Sequence, residues 1–187
     1  YRIGDGSEVT ELGLADLART HLLIIEWPDR LAAPLLDDVL TVHLEGTGAG
    51  RVAHLNGLGS WRLALERLEA ISHFLPRAGF GDAQRSFLEG DASSRRYERL
   101  DRNGHSYVLM DMAARPDGPP VKQGKPYSAI AHLSEDIRAV LAVNAHLESL
   151  GYSAPHTYSH DTAHGLAVIE DLGSRVYGRM MIAGNDM

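Results

Sequence analysis

Arg95-Arg96-Tyr97-Glu98-Arg99-Leu100-Asp101-Arg102-Asn103-Gly104-His105-Ser106-Tyr107-Val108-Leu109-Met110-Asp111-Met112 is the stretch that decides the fold of the second half of this chain. Residues 95–101 and 106–112 read as strands on either side of Asn103-Gly104, a dipeptide whose tolerance of positive φ suits a two-residue hairpin turn. A strand over residues 84–88 precedes them, with Gly90 supplying the intervening turn. Downstream, residues 115–126 are rich in Pro, Gly and Lys and predict an exposed loop. Ser134-Glu135-Asp136 then opens a helix whose stripe of Ile137, Val140, Leu141, Asn144 and Leu147 runs to Gly151, a suitable C-terminal stop. Residues 165–170 read as a buried strand, and a last helix is predicted to begin near Ser174.

Upstream the rhythm differs. Ser60 is predicted to cap a helix with Leu65, Leu68, Ile71 and Leu75 on one face, ending near Pro76 and Gly79. Residues 38–45 and 51–56 alternate apolar and polar around Gly46-Thr47-Gly48-Ala49-Gly50, the pattern of a hairpin. Residues 22–26 form a strand candidate halted by Pro28. Ser7, with Glu8 and Glu11 behind it, caps a short helix reaching about Leu17. The change of style falls near residues 57–63, where Gly57 and Gly59 loosen the chain.

With 187 residues, 44% of them apolar, the chain can bury a core as one ordinary domain or two small ones. The absence of cysteine excludes a disulfide scaffold, a thiolate metal site and a cysteine nucleophile. No apolar run approaches the roughly 20 residues of a membrane helix, and no signal peptide is recognisable, so a cytoplasmic protein without membrane contact is expected. Eighteen basic against twenty-five acidic side chains leave a net charge of −7, with residues 1–59 the more acidic part. Such a surface argues against direct nucleic-acid binding. Starting at Tyr1 and stopping at Met187, the chain reads as an interior piece of a longer protein.

Gly46–Gly50 lacks the Gly-Lys-Ser/Thr and following helix of a phosphate loop, so a hairpin turn is the expected role. His156, His160 and His164 would share one face of a helix, but Pro155 and Gly165 oppose a helix there, and solvated loop histidines are expected with no metal site. Glu26 closes a strand candidate, where a carboxylate can orient water or magnesium near a phosphate, with Trp27 beside it as a stacking surface. The alternative is a solvated Glu and a half-buried Trp. In Gly90-Asp91-Ala92-Ser93-Ser94-Arg95-Arg96-Tyr97, two arginines beside small residues allow a phosphate to approach and be gripped. The alternative is a hairpin carrying charge on its outer face, neutralised by Glu98 and Asp101. Glu170-Asp171-Leu172-Gly173 ends a strand in an acidic turn.

Two resemblances attach to these motifs. Tyr1-Arg2-Ile3, Glu11-Leu12-Gly13-Leu14 and Ile24-Ile25-Glu26-Trp27-Pro28-Asp29-Arg30-Leu31 resemble the C-terminal half of TsaE, the P-loop ATPase subunit of the bacterial tRNA threonylcarbamoyladenosine machinery. That resemblance implies a catalytic role in ATP hydrolysis for Glu26 and a nucleotide and partner surface at Trp27. Gly90 through Tyr97, Val108-Leu109-Met110-Asp111 and Glu170-Asp171-Leu172-Gly173 resemble the beginning of an aminoglycoside-phosphotransferase-type kinase, near those acting on N-acetylmuramate. It implies that Ser93, Arg95 and Arg96 meet nucleotide phosphates and that Glu170 and Leu172 belong to the hinge that receives adenine. Residues 134–150 would be the lobe's helix. Kinases of this type carry a Lys on the third strand, where this chain has Met110 and Asp111, so Arg95 or Arg96 would have to supply the charge.

The resulting expectation is α/β and α+β: the tail of a P-loop NTPase sheet in residues 1–59, then a protein-kinase-like N-lobe of antiparallel strands and a helix in residues 60–187. The resemblances imply ATP and magnesium, a sugar-like acceptor, and partner subunits of the tRNA threonylcarbamoylation complex. They also imply that the catalytic base and magnesium ligands lie outside this stretch, so that it is inactive alone. The rival expectation is a non-catalytic partner-binding module of the same complex.

Overall fold

The computed structural model describes residues 13–28, 36–89, 95–114, 118–131 and 136–173. The chain divides into two compact units, Tyr1–Glu69 and Ala70–Met187. The division falls inside a helix rather than at 59/60, because the second half of that helix, not its start, supplies core residues to the second unit.

The first unit contains α1 (Leu14–Leu17) and an antiparallel hairpin of β1 (Leu40–Thr47) and β2 (Gly50–Gly57). Its loop is only Gly48-Ala49. A positive φ at the first of these two positions is the type II′ arrangement, which leaves Gly46 and Thr47 in the ladder instead of the turn. Val42 faces Leu55 and Leu44 faces Ala53 on one side; His43 faces His54 on the other, where His54 reaches Glu45 at 3.3 Å. The strand expected over residues 22–26 does not form, and Leu22 and Ile24 stand in solvent. A ladder requires a partner, and among the described residues β1 and β2 pair only with each other. No parallel ladder of a P-loop sheet occurs among the described residues. Ser7, Glu8 and Glu11 lie outside them.

α2 (Ser60–Arg77) begins differently from expectation. Ser60 is its first residue, not its cap. The cap is Asp38, whose carboxylate accepts the Ser60 N–H at 2.6 Å and the Ser60 hydroxyl at 2.8 Å. These bonds hold the Asp38 carboxyl below its ordinary range, and a negative group at a helix N-terminus is favourable. Gly59 is obligatory between them: its φ is +61°, and a Cβ there would lie 2.5 Å from Asp38 Oδ1. At the other end Pro76 cannot donate, and the helix stops one residue later. The Phe80 N–H then reaches the Leu75 carbonyl (2.7 Å) and the Gly79 N–H the Pro76 carbonyl (3.0 Å), a Schellman stop with Phe80 and Leu75 both in the core.

The second unit is built on a five-stranded antiparallel sheet in the order β3-β4-β5-β9-β8. Its strands are β3 (Gln84–Leu88), β4 (Arg96–Arg102), β5 (His105–Asp111), β8 (Thr157–Asp161) and β9 (Leu166–Glu170). Asn103 and Gly104, both at positive φ, make the predicted turn between β4 and β5. Alternation then sorts the side chains. Leu100, Leu109, Leu166 and Val168 pack with Ile71, Phe74, Leu75 and Phe80 around α2. On the opposite face, Met110, Met112 and Ala167 pack with Ile137 of α4 (Ile137–Ser149), with Tyr97, Val140, Leu141 and Ile169 against them. Leu68, expected on the buried face of α2, is exposed, and Phe74, absent from the expected stripe, is buried.

α4 follows its predicted stripe. Asp136 caps it by accepting the Arg138 N–H at 2.8 Å, and Gly151 (φ +81°) ends it, with the Tyr152 N–H bonded to the Leu147 carbonyl. Ser134 and Glu135 lie outside the described residues, as does the helix expected from Ser174. Within the exposed stretch predicted as a loop, β6 (Pro120–Lys122) and β7 (Lys125–Pro126) form a small hairpin followed by α3 (Tyr127–Ala131). Gln123-Gly124, both at positive φ, supplies its turn chemistry, which the Pro and Gly content masked. This mixed fold, an antiparallel sheet with few helices, is compatible with a kinase-like N-lobe. No helix among the described residues is long and apolar enough to cross a membrane.

Candidate functional site

The candidate residues of the second unit lie along the central strands. Arg96 is the first residue of β4, exposed, directly across from Asp111 of β5, and Asp111 is in turn across from Leu166 of β9. Arg95 precedes it, half-buried. Opposite charges facing one another across a ladder are mildly stabilising, so Arg96 has a structural use as well as a candidate one. Ser93 and the rest of residues 90–94 lie outside the described residues. Met110, on the third strand of the sheet, is buried among apolar groups and offers no charge.

Glu170 and Leu172 lie at the other end. The ladder from Asp111↔Leu166 to Tyr107↔Glu170 covers four residue steps, which at the rise of a strand is about 14 Å. The arginines and the 170–173 connector are therefore not brought to one point; they mark the two ends of one sheet. Glu170 is tied to the segment before β8: its N–H donates to the His156 carbonyl at 2.8 Å, and its Oε2 accepts the His156 N–H at 3.2 Å. The His156 ring meets Glu148 of α4 at 3.1 Å and lies edge-on to Tyr158. The Leu172 side chain is exposed.

Between them stands a group that sequence reasoning passed over. Asp171 Oδ2 accepts Arg99 Nε–H at 2.7 Å and the Ser106 hydroxyl at 2.6 Å, while Oδ1 accepts the Gly173 N–H at 2.8 Å. Its side chain is only 8% exposed. Burial pushes the Asp171 carboxyl upward, but the bonds from Arg99, Ser106 and Gly173 outweigh it and hold the group below the usual carboxylate range; the Arg99 guanidinium is raised correspondingly. The one signal available in the sequence was an acidic residue next to Glu170. Its partners are 72 and 65 residues away and invisible to spacing.

The remaining candidates stand apart. Glu26 and Trp27 are in solvent, Trp27 with a positive φ and 79% exposed, because the strand expected to bury their neighbours is missing. His156 and His164 lie in exposed connecting segments as expected, whereas His160 lies in β8; the polar run Thr157–Asp161 is an edge strand that needs only the backbone of β9. His164 bonds to Asp161 at 2.9 Å and holds that carboxyl below its ordinary range. Among the described residues no three His, Asp or Glu side chains gather to hold a metal.

No family model matches the chain. Over 95 residues it is 33% identical to the N-acetylmuramate/N-acetylglucosamine kinase of Pseudomonas putida, covering 51% of this chain and 23% of that protein. Over 133 residues it is 41% identical to the protein of the same name from Caulobacter vibrioides, covering 66% of this chain and 37% of that kinase. The chain thus spans well under half the length of these curated relatives, and its kinase-like part is similar to proteins named as N-acetylmuramate/N-acetylglucosamine kinases.

Proposed function

We propose that residues 60–187 are the nucleotide-binding lobe of an ATP-dependent phosphotransferase whose acceptor is the hydroxyl of an amino sugar. The observation that carries this is the separation along the central sheet: two arginines at one end, and a connector with the Leu172 side chain in solvent about 14 Å away at the other. An elongated, polyanionic ligand with a flat base fits such a layout. Arg95 and Arg96, with Ser93, would meet the phosphates as charge-assisted donors, and the backbone at Glu170 and Leu172 would meet the base. The amino-sugar kinases similar to this chain support the substrate class. Magnesium, which phosphoryl transfer needs for charge neutralisation, finds no three-ligand site among the described residues. The test is a titration of the full chain with ATP. Binding that Arg95→Ala with Arg96→Ala weakens about tenfold, one to two charge-assisted contacts, supports the proposal. Wild-type protein that binds no ATP overturns it.

For residues 1–59 we propose a TsaE-type segment that docks on subunits of a tRNA-modification complex. The observation favouring it is the solvent-exposed indole of Trp27. In this reading Trp27 is a docking group, and Glu26 the residue assigned to ATP hydrolysis. Loss of partner capture by Trp27→Ala, with ATP affinity unchanged, is the result expected.

A further inference from the structure

The Arg99–Asp171–Ser106 cluster has no counterpart in the roles assigned above. It is neither at the phosphate end of the sheet nor part of the apolar core. By alternation Arg99 and Asp171 fall on the face that carries Tyr97 and Ile169, the α4 side, at the end from which the connector leaves. Each oxygen of Asp171 has a different task. Oδ2 is tied to β4 through Arg99 and to β5 through Ser106, so the carboxylate is fixed to two strands. Oδ1 holds the Gly173 N–H, closing a turn two residues on, where Gly173 has φ +84°. Neutral turns of this type are easily populated and easily lost; one whose acceptor is anchored on two neighbouring strands is held in a single conformation. Leu172, between the two ends of that turn, then has its backbone fixed while its side chain is free in solvent.

We infer that Asp171, through Arg99 and Ser106, is the positioning residue that holds the Glu170–Gly173 connector ready for the base of the bound nucleotide. This rests on the nucleotide-binding function proposed above. Asp171 touches no phosphate in this arrangement. Its effect is on the fraction of molecules whose connector is competent, and apparent affinity falls by that fraction.

Two measurements on the full chain test it. In the protein without nucleotide, Asp171→Ala is expected to accelerate amide exchange at Leu172 and Gly173 while leaving Leu109 and Val168 protected. In titrations, affinity for adenosine and for ATP is expected to fall by the same factor, about tenfold, while affinity for inorganic tripolyphosphate is unchanged. A merely structural role would move all three ligands together. Ser106→Ala, which deletes one hydrogen bond from an exposed side chain, is the second variant should Asp171→Ala fail to fold, and is expected to show the same pattern at about threefold. Wild-type binding of adenosine that both variants leave unchanged overturns the positioning role alone. Wild-type protein with no affinity for adenosine overturns the nucleotide assignment and this role with it.

Discussion

Two hairpins of this chain, β1–β2 and β4–β5, are made by the same local chemistry and come to different ends. Each closes on a two-residue loop that uses positive φ, at Gly48 in one and at Asn103-Gly104 in the other. The first alternates apolar and polar residues, whereas β5 of the second runs Tyr107-Val108-Leu109-Met110 without a polar break. Yet every β2 side chain before Gly57 is exposed, whereas Leu100 and Leu109 of the second hairpin have no accessible surface. The difference lies in what covers them: β4–β5 has β9 beside it, α2 on one face and α4 on the other. A two-stranded ribbon without such cover is marginally stable in water. Turn chemistry therefore makes a hairpin, and only neighbouring elements make a core.

Three substitutions break or sharpen this contrast. The largest effect is expected from Leu109→Ala, which empties a fully buried site: a loss of roughly 2–5 kcal/mol in denaturant unfolding of the second unit. Next is Gly165→Ala. Gly165 is buried at φ +63°, and a Cβ there would collide with the Met112 carbonyl, whose own N–H bonds to the Gly165 carbonyl at 2.8 Å. A cost on the order of 1–3 kcal/mol, read as a lower thermal midpoint, is expected. The smallest is Leu44→Ser on the apolar side of β1, where the side chain is 57% exposed; a change within about 0.5 kcal/mol is expected. If Leu44→Ser costs as much as Leu109→Ala, the two hairpins do not differ in cover and the contrast is wrong.

Where interactions reach only a few residues, the sequence was legible. Asn103-Gly104 and the stripe of α4 with its stop at Gly151 depend on near neighbours. Where the partner is distant, it was not. Ser60 reads as a cap because nothing local shows that Asp38, 22 residues earlier, folds over the helix end. The strand Thr157–Asp161, which carries His160, is not legible because an edge strand with polar side chains has no periodicity to betray it. Residues 22–26 carried the composition of a strand but had no ladder to join. Of the candidate site, Arg95, Arg96, Glu170 and Leu172 are visible as motif residues, while Asp171 is not, because its importance comes from Arg99 and Ser106.

By itself the sequence determined the turns, the helix stripes and the helix stops, because backbone sterics and short-range hydrogen bonds act within a few residues. Only the tertiary structure decided that β9 lies between β5 and β8, which faces are covered, and that Asp171 is anchored to two strands. Burial and ion pairing depend on distance in space, and the groups that meet there are 65 to 72 residues apart along the chain.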